Sequence, residues 1–149
     1  MISFEEFERQ LASAVRTVKP RLAIGLDKVG HLAESLAAEY PGHQQPGWAP
    51  LAAATIRDKQ AKGFPVPSPL KRTGEMAASY RKEVDVAELA LVIGSTEKIA
   101  LWQEMGTSRG IPPRPVCAKA LSNSLPYARD VFGETAIALL TGKGVALIR

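Results

Sequence analysis

Six of the chain's 11 prolines, Pro41, Pro46, Pro50, Pro65, Pro67 and Pro69, fall between residues 40 and 75, with Gly42, Gly47, Gly63 and Gly74 among them. Proline lacks the amide that a helix interior or a central strand requires, and glycine loses the most backbone freedom in either. This quarter of the chain is therefore read as loop, with room for one short helix over 50–61 that takes Pro50 in its first turn. Ordered loops of that length in compact domains are mostly functional. Trp48 lies in it, and a loop aromatic either pins the loop to the core or meets a partner.

The flanks have regular periodicity. Ser3 and Glu6 have capping-box spacing, and Phe4, Phe7, Leu11, Val15, Val18, Leu22, Leu26, Val29, Leu32 and Leu36 follow in steps of three and four. That pattern predicts a helix over 3–39 with one buried stripe, kinked or broken near Pro20. Within 77–95, Ala78, Tyr80, Lys82, Val84 and Val86 alternate with Ser79, Arg81, Glu83 and Asp85, and Leu89 to Ile93 is a continuous apolar run. A hairpin turning at Ala87-Glu88 is predicted, its second strand covered on both faces. A short helix over 96–105 should bury Ile99, Trp102 and Met105. A loop over 106–115 follows, stiffened by Pro112, Pro113 and Pro115. Residues 116–123 read as the beginning of a helix, with a stronger one starting at Ser124, carrying Pro126 in its first turn and Gly142 past its end. Residues 144–149 read as an apolar tail or edge strand.

Strands and helices cluster rather than alternate, which predicts an α+β fold. A long N-terminal helix and a C-terminal helix would pack on a small, mainly antiparallel sheet. Two strands alone are marginal, so one or two more are expected from 64–70, from around Arg114-Pro115-Val116, or from a neighbouring subunit. At 149 residues the chain is expected to be one domain, 1–149. Its segments are 1–39, helical; 40–75, the Pro/Gly-rich loop; 76–115, hairpin, short helix and loop; and 116–149, helix and tail.

Little chemistry is on offer. Cys117 is the only cysteine and His31 and His43 the only histidines, so neither a disulfide framework nor a metal site is expected. Cys117 with either histidine would be a nucleophile pair, but the simpler reading is a small apolar residue at a helix start. There is no phosphate-binding glycine loop and no nucleophile elbow. No catalytic residue, cofactor or small-molecule substrate is expected. The opening Met1-Ile2-Ser3-Phe4-Glu5-Glu6 has acids where a secretion leader has an apolar run, and no run reaches membrane-spanning length, so a soluble protein made in a reducing cytoplasm is expected. The net charge of +4 is concentrated in 41–83, where seven bases face three acids. Arg57, Lys59, Lys62, Lys71 and Arg72 therefore offer an alternative reading, a small basic DNA-binding accessory protein.

Four pieces in order carry a resemblance: Trp48-Ala49-Pro50-Leu51 with Thr55 and Lys59; Thr73-Gly74-Glu75-Met76 with Ser79; Val92-Ile93-Gly94-Ser95 with Ala100 and Glu104-Met105-Gly106-Thr107; and Ile111-Pro112-Pro113-Arg114-Pro115. Together they resemble the tail-completion or virion-morphogenesis family of tailed bacteriophages and prophages, also labelled minor tail or neck proteins. Met76, Val116 and Ile99 depart from the residues frequent there. The resemblance implies a non-enzymatic virion protein, made in the host bacterial cytoplasm, that completes the tail or joins head and tail as one subunit of a ring, taken as a hexamer. Its partners would be copies of itself and neighbouring tail or head-connector proteins, with non-specific contact to DNA in the channel and none to membrane. Ring closure needs two different patches on each copy. The 40–75 and 106–115 loops are the candidates, with Trp48, Arg72, Met105, Arg109, Ile111 and Arg114 as expected contacts. Arg114 has two readings, a pair with a neighbour's carboxylate or a tie on its own loop.

Overall fold

A computed structural model describes residues 3–141. In chain order the elements are α1 (Phe4–Glu39), α2 (Ala53–Ala61), α3 (Glu75–Ala78), β1 (Tyr80–Asp85), β2 (Ala90–Ser95), α4 (Lys98–Met105) and α5 (Cys117–Thr141). β1 and β2 form a two-stranded antiparallel sheet, and the fold is α+β, as expected. No further strand occurs among the described residues. The segments expected to supply one, 64–70 and 114–116, are loop apart from isolated turns. The expected tail over 144–149 lies outside the described residues, as does Gly142.

The chain forms two compact units, and α1, α5 and the hairpin run through both. The first holds residues 3–30, 83–92 and 124–141. The second holds His31–Lys82 and Ile93–Asn123.

In the first unit α1 starts as its spacing predicts, with the Ser3 hydroxyl accepting the Glu6 amide at 3.2 Å. The helix is not broken at Pro20 but continues as one element of 36 residues. One proline deletes a single amide bond, and the turns on either side keep theirs. α1 and α5 meet where Gly25 has no side chain: a Cβ there would lie 2.7 Å from the Phe132 ring. The apolar stripe is covered only in its later part, where Val29 is buried and Leu22, Leu26, Leu32 and Leu36 are half-buried. Phe4, Phe7, Leu11 and Val15 are 75%, 50%, 55% and 67% exposed. The polar face of the same helix, including Glu6, Arg9 and Thr17, lines a cavity shared with Ala138 and Leu139 of α5.

α5 is one helix, not two, and Ser124 is a buried interior residue rather than a cap. Its buried positions, Ala120, Ser124, Thr135 and Ala138, are small, whereas the larger Leu125 and Leu140 are exposed. Small residues let helix backbones approach closely, which hydropathy does not reveal.

The second unit holds most of the core: Ala33, Ala37, Tyr40, Trp48, Met76, Tyr80, Ile93, Ala100, Val116 and Ala120. The hairpin turns where predicted, with Asp85 Oδ1 accepting the Ala87 and Glu88 amides at 2.8 and 3.0 Å. β1 alternates as expected, but β2 is not covered on both faces: Ile93 is buried while Val92 is exposed. In a two-stranded sheet a continuous apolar run leaves one side to solvent. The buried face of α4 is also misread, since Ala100 is buried while Ile99, Trp102 and Met105 are exposed.

Tyr80 is 1% exposed and its hydroxyl has no hydrogen-bond partner. Burial pushes its phenol above the ordinary range. A buried hydroxyl left unsatisfied is costly, so Tyr80→Phe should raise stability by about 1 kcal/mol. Urea unfolding should show a higher midpoint at unchanged slope; a lower midpoint would mean that the hydroxyl is bonded in solution.

Candidate interaction site

The two proline-rich loops are fastened to each other inside the second unit. Arg114 is 6% exposed; its Nε and Nη2 donate to the Ala49 carbonyl at 3.2 and 3.0 Å, and Nη2 also donates to the Pro50 carbonyl at 3.3 Å. Its own amide donates to the Gln103 carbonyl at 2.6 Å. The Trp48 indole N–H donates to the Pro115 carbonyl at 3.3 Å, and Lys119 Nζ to the Pro46 carbonyl at 3.2 Å. Gly106 makes the second loop possible: its φ is +71°, and a Cβ there would lie 2.9 Å from the Ile111 carbonyl oxygen.

A second buried cation folds the first loop onto α2. Lys59 is 3% exposed, and its Nζ donates to the Ser68 and Lys71 carbonyls at 2.5 and 2.7 Å. Burial pulls the Lys59 ammonium pKa down, with the Arg72 charge adding to the effect, and burial also lowers that of Arg114. Both cations are held by carbonyls, with no carboxylate among the hydrogen bonds seen.

Glu104 of α4 caps α5. Its Oε2 accepts the Val116 and Cys117 amides at 2.6 and 3.0 Å, and Oε1 accepts the Ala118 amide at 3.0 Å. A carboxylate at a helix N-terminus satisfies orphan amides and complements the helix dipole. Ser79 closes the set: its hydroxyl donates to the Met76 carbonyl at 2.7 Å and meets the Ser95 hydroxyl at 2.6 Å.

Within this frame lies a groove of about 710 Å³. Its apolar lining includes Leu51, Phe64, Leu70, Met76, Ile99 and Ile111, and its charged lining is Lys59, Lys71, Arg72 and Arg114 against Glu75 and Glu97. Arg72 lies over the Phe64 ring at 5.2 Å and pairs with Asp58 at 2.9 Å. Asp58 also pairs with Lys62 at 2.5 Å, and this hydrogen-bonded partner, with Arg72, holds its carboxyl below the usual range. An apolar trough with four cations and two acids suits a segment that combines apolar and acidic side chains.

Comparisons with models of known protein families, with curated proteins and with solved structures found no match.

Of the six expected contact residues, the groove brings together Arg72, Ile111 and Arg114. Met105 and Arg109 are exposed outside its lining. Trp48 is buried, so it acts as a pin for its loop. Arg114 likewise ties its own loop, and its guanidinium is committed to backbone carbonyls rather than free for a neighbour's carboxylate. Glu104 and Lys59 are the anchors that sequence reasoning missed. Glu104 reaches amides 12 to 14 residues away, and a buried lysine leaves no local signature.

No group of three or more His, Cys, Asp or Glu side chains able to hold a metal occurs among the described residues, and no described helix is long and apolar enough to cross a membrane. Cys117 is half-buried, and burial together with the Glu104 carboxylate raises its thiol to about 11. The thiolate is the reactive species, so iodoacetamide at pH 8 should alkylate Cys117 roughly a hundredfold more slowly than a free thiol, the rate climbing about tenfold per pH unit. A rate within threefold of glutathione would show that the thiol is not perturbed.

Proposed function

We propose that this chain is a structural protein of a tailed bacteriophage or prophage virion, a ring subunit that completes the tail or joins head and tail, made in the host cytoplasm. The observation that carries this reading is where the apolar surface lies. Phe4, Phe7, Leu11 and Val15 on α1, and Leu101, Trp102 and Met105 on α4, are large apolar side chains left exposed on two different elements. Large contiguous apolar patches on a soluble chain mark interaction sites, and two different patches per copy are what a closed head-to-tail ring requires. The order of the four sequence pieces supports the reading further. Trp48, Lys59, Ser79, Glu104 and Arg114, one or more from each piece, are the side chains that fasten the second unit together.

The DNA-binding alternative gains less. Lys59 is buried, Lys62 and Arg72 face Asp58, and Arg81 donates to the Ala78 and Tyr80 carbonyls. Much of the basic segment is therefore already engaged.

Light scattering and negative-stain images of the purified protein, alone and with tail tubes, test the proposal. Rings, free or seated on tube ends, are expected; a strict monomer that ignores tubes would refute it. Retention on DNA that weakens steeply with salt would favour the alternative.

A further inference from the structure

We infer that the contact between copies is made by the N-terminal turns of α1 from one copy lying in the apolar, cation-bearing groove of the second unit of the next. This rests on the ring reading above and pairs its α1 surface with the groove rather than with Leu101, Trp102 and Met105 of α4, which lie outside the groove's lining.

The inserted element has an unusual face. Phe4, Phe7 and Leu11 succeed one another by three and four residues, and all three are exposed. Glu8 lies four residues after Phe4 and three before Leu11, so it stands within the same stripe, with Glu5 beside it; both are exposed. Over its first turns the helix is open on nearly every side, with Glu6 and Arg9 exposed and Gln10 half-buried, so its apolar and acidic side chains are available together.

The receiving surface is complementary in both respects. Leu51, Phe64, Leu70, Met76, Ile99 and Ile111 provide an apolar trough, and Lys71 and Arg72 are exposed cations at its lining. Beneath them Lys59 and Arg114 add two buried charges that only carbonyls balance. Lining the groove with four cations and two acids disfavours a basic or neutral occupant and favours one carrying Glu5 and Glu8. Both halves reside in one sequence and differ from each other, so the contact is heterologous, and a heterologous contact repeats until the ring closes.

Charge reversal on exposed positions tests this; Arg72 also pairs with Asp58 and lies over Phe64, so urea unfolding of its variant checks that the second unit keeps its fold. Glu5→Lys/Glu8→Lys and Lys71→Glu/Arg72→Glu should each remain folded by circular dichroism and each lose assembly, at least tenfold in the concentration needed, by light scattering or on tail tubes. Mixing the two variants should restore it, because each then offers the charge the other lacks. A third variant ending at Thr141 should assemble like the wild type. If the wild type assembles and the reversed variants assemble equally well, or the mixture is not rescued, the contact is wrong while the ring reading stands. Loss of assembly only in the shortened variant would transfer the contact to the C-terminal residues. A wild type that is monomeric with and without tubes overturns the ring reading and this contact together.

Discussion

Arg114→Ala is expected to destabilise the protein by about 3 kcal/mol, because it removes charge-assisted hydrogen bonds from a buried guanidinium to part-buried carbonyls. The guanidinium serves the Ala49 and Pro50 carbonyls from 65 and 64 residues away, and no other side chain is seen to bond to them. Arg114→Lys keeps the charge but not the fork, so about half of the loss should remain. Urea unfolding checks both. A change under 0.5 kcal/mol for Arg114→Ala, the range of ordinary surface substitutions, would show that the two loops are held by other contacts. The loss should also loosen the 40–75 loop before the whole unit unfolds, visible as faster amide exchange around Trp48.

Glu104→Ala should cost a similar amount, about 2–4 kcal/mol, since one carboxylate serves three amides at the start of α5. Glu104→Gln retains an acceptor and should recover part of this. The two substitutions have a second readout, independent of stability. The Glu104 carboxylate is one of the two causes that raise the Cys117 thiol. Removing its charge should lower that value and speed alkylation several-fold in the still-folded Glu104→Gln variant. Unchanged reactivity, or a stability loss below 0.5 kcal/mol, would show that the carboxylate does not sit at the helix end.

Periodicity was informative where an element is decided by its own residues. The start of α1 at Ser3 and the hairpin turn at Asp85 to Glu88 follow from local caps and turns, whereas α2 begins at Ala53, past Pro50 rather than with it in the first turn, and has no side-chain cap. The same reasoning failed on faces. Phe4, Phe7, Leu11 and Val15 form a stripe, but a stripe specifies that side chains share a side, not that this chain covers it. Ile99, Trp102 and Met105 on α4 failed for the same reason. Neither α1 at Pro20 nor α5 at Ser124 and Pro126 is interrupted, because a proline or a capping residue ends a helix only when tertiary packing does not support its continuation.

By itself the sequence determined where the long helices and the hairpin lie, that the segment from 40 to 75 is mostly loop with room for one short helix, and that the chain is α+β; these are properties of backbone amides, local caps and side-chain periodicity. Only the tertiary structure decided what fastens the loops and which apolar faces stay uncovered. Arg114 reaching Ala49, Trp48 reaching Pro115 and Glu104 reaching Val116 bridge separations from 12 to 67 residues. No spacing rule links such positions, because the distance that governs each bond is measured through space and exists only once the chain has folded.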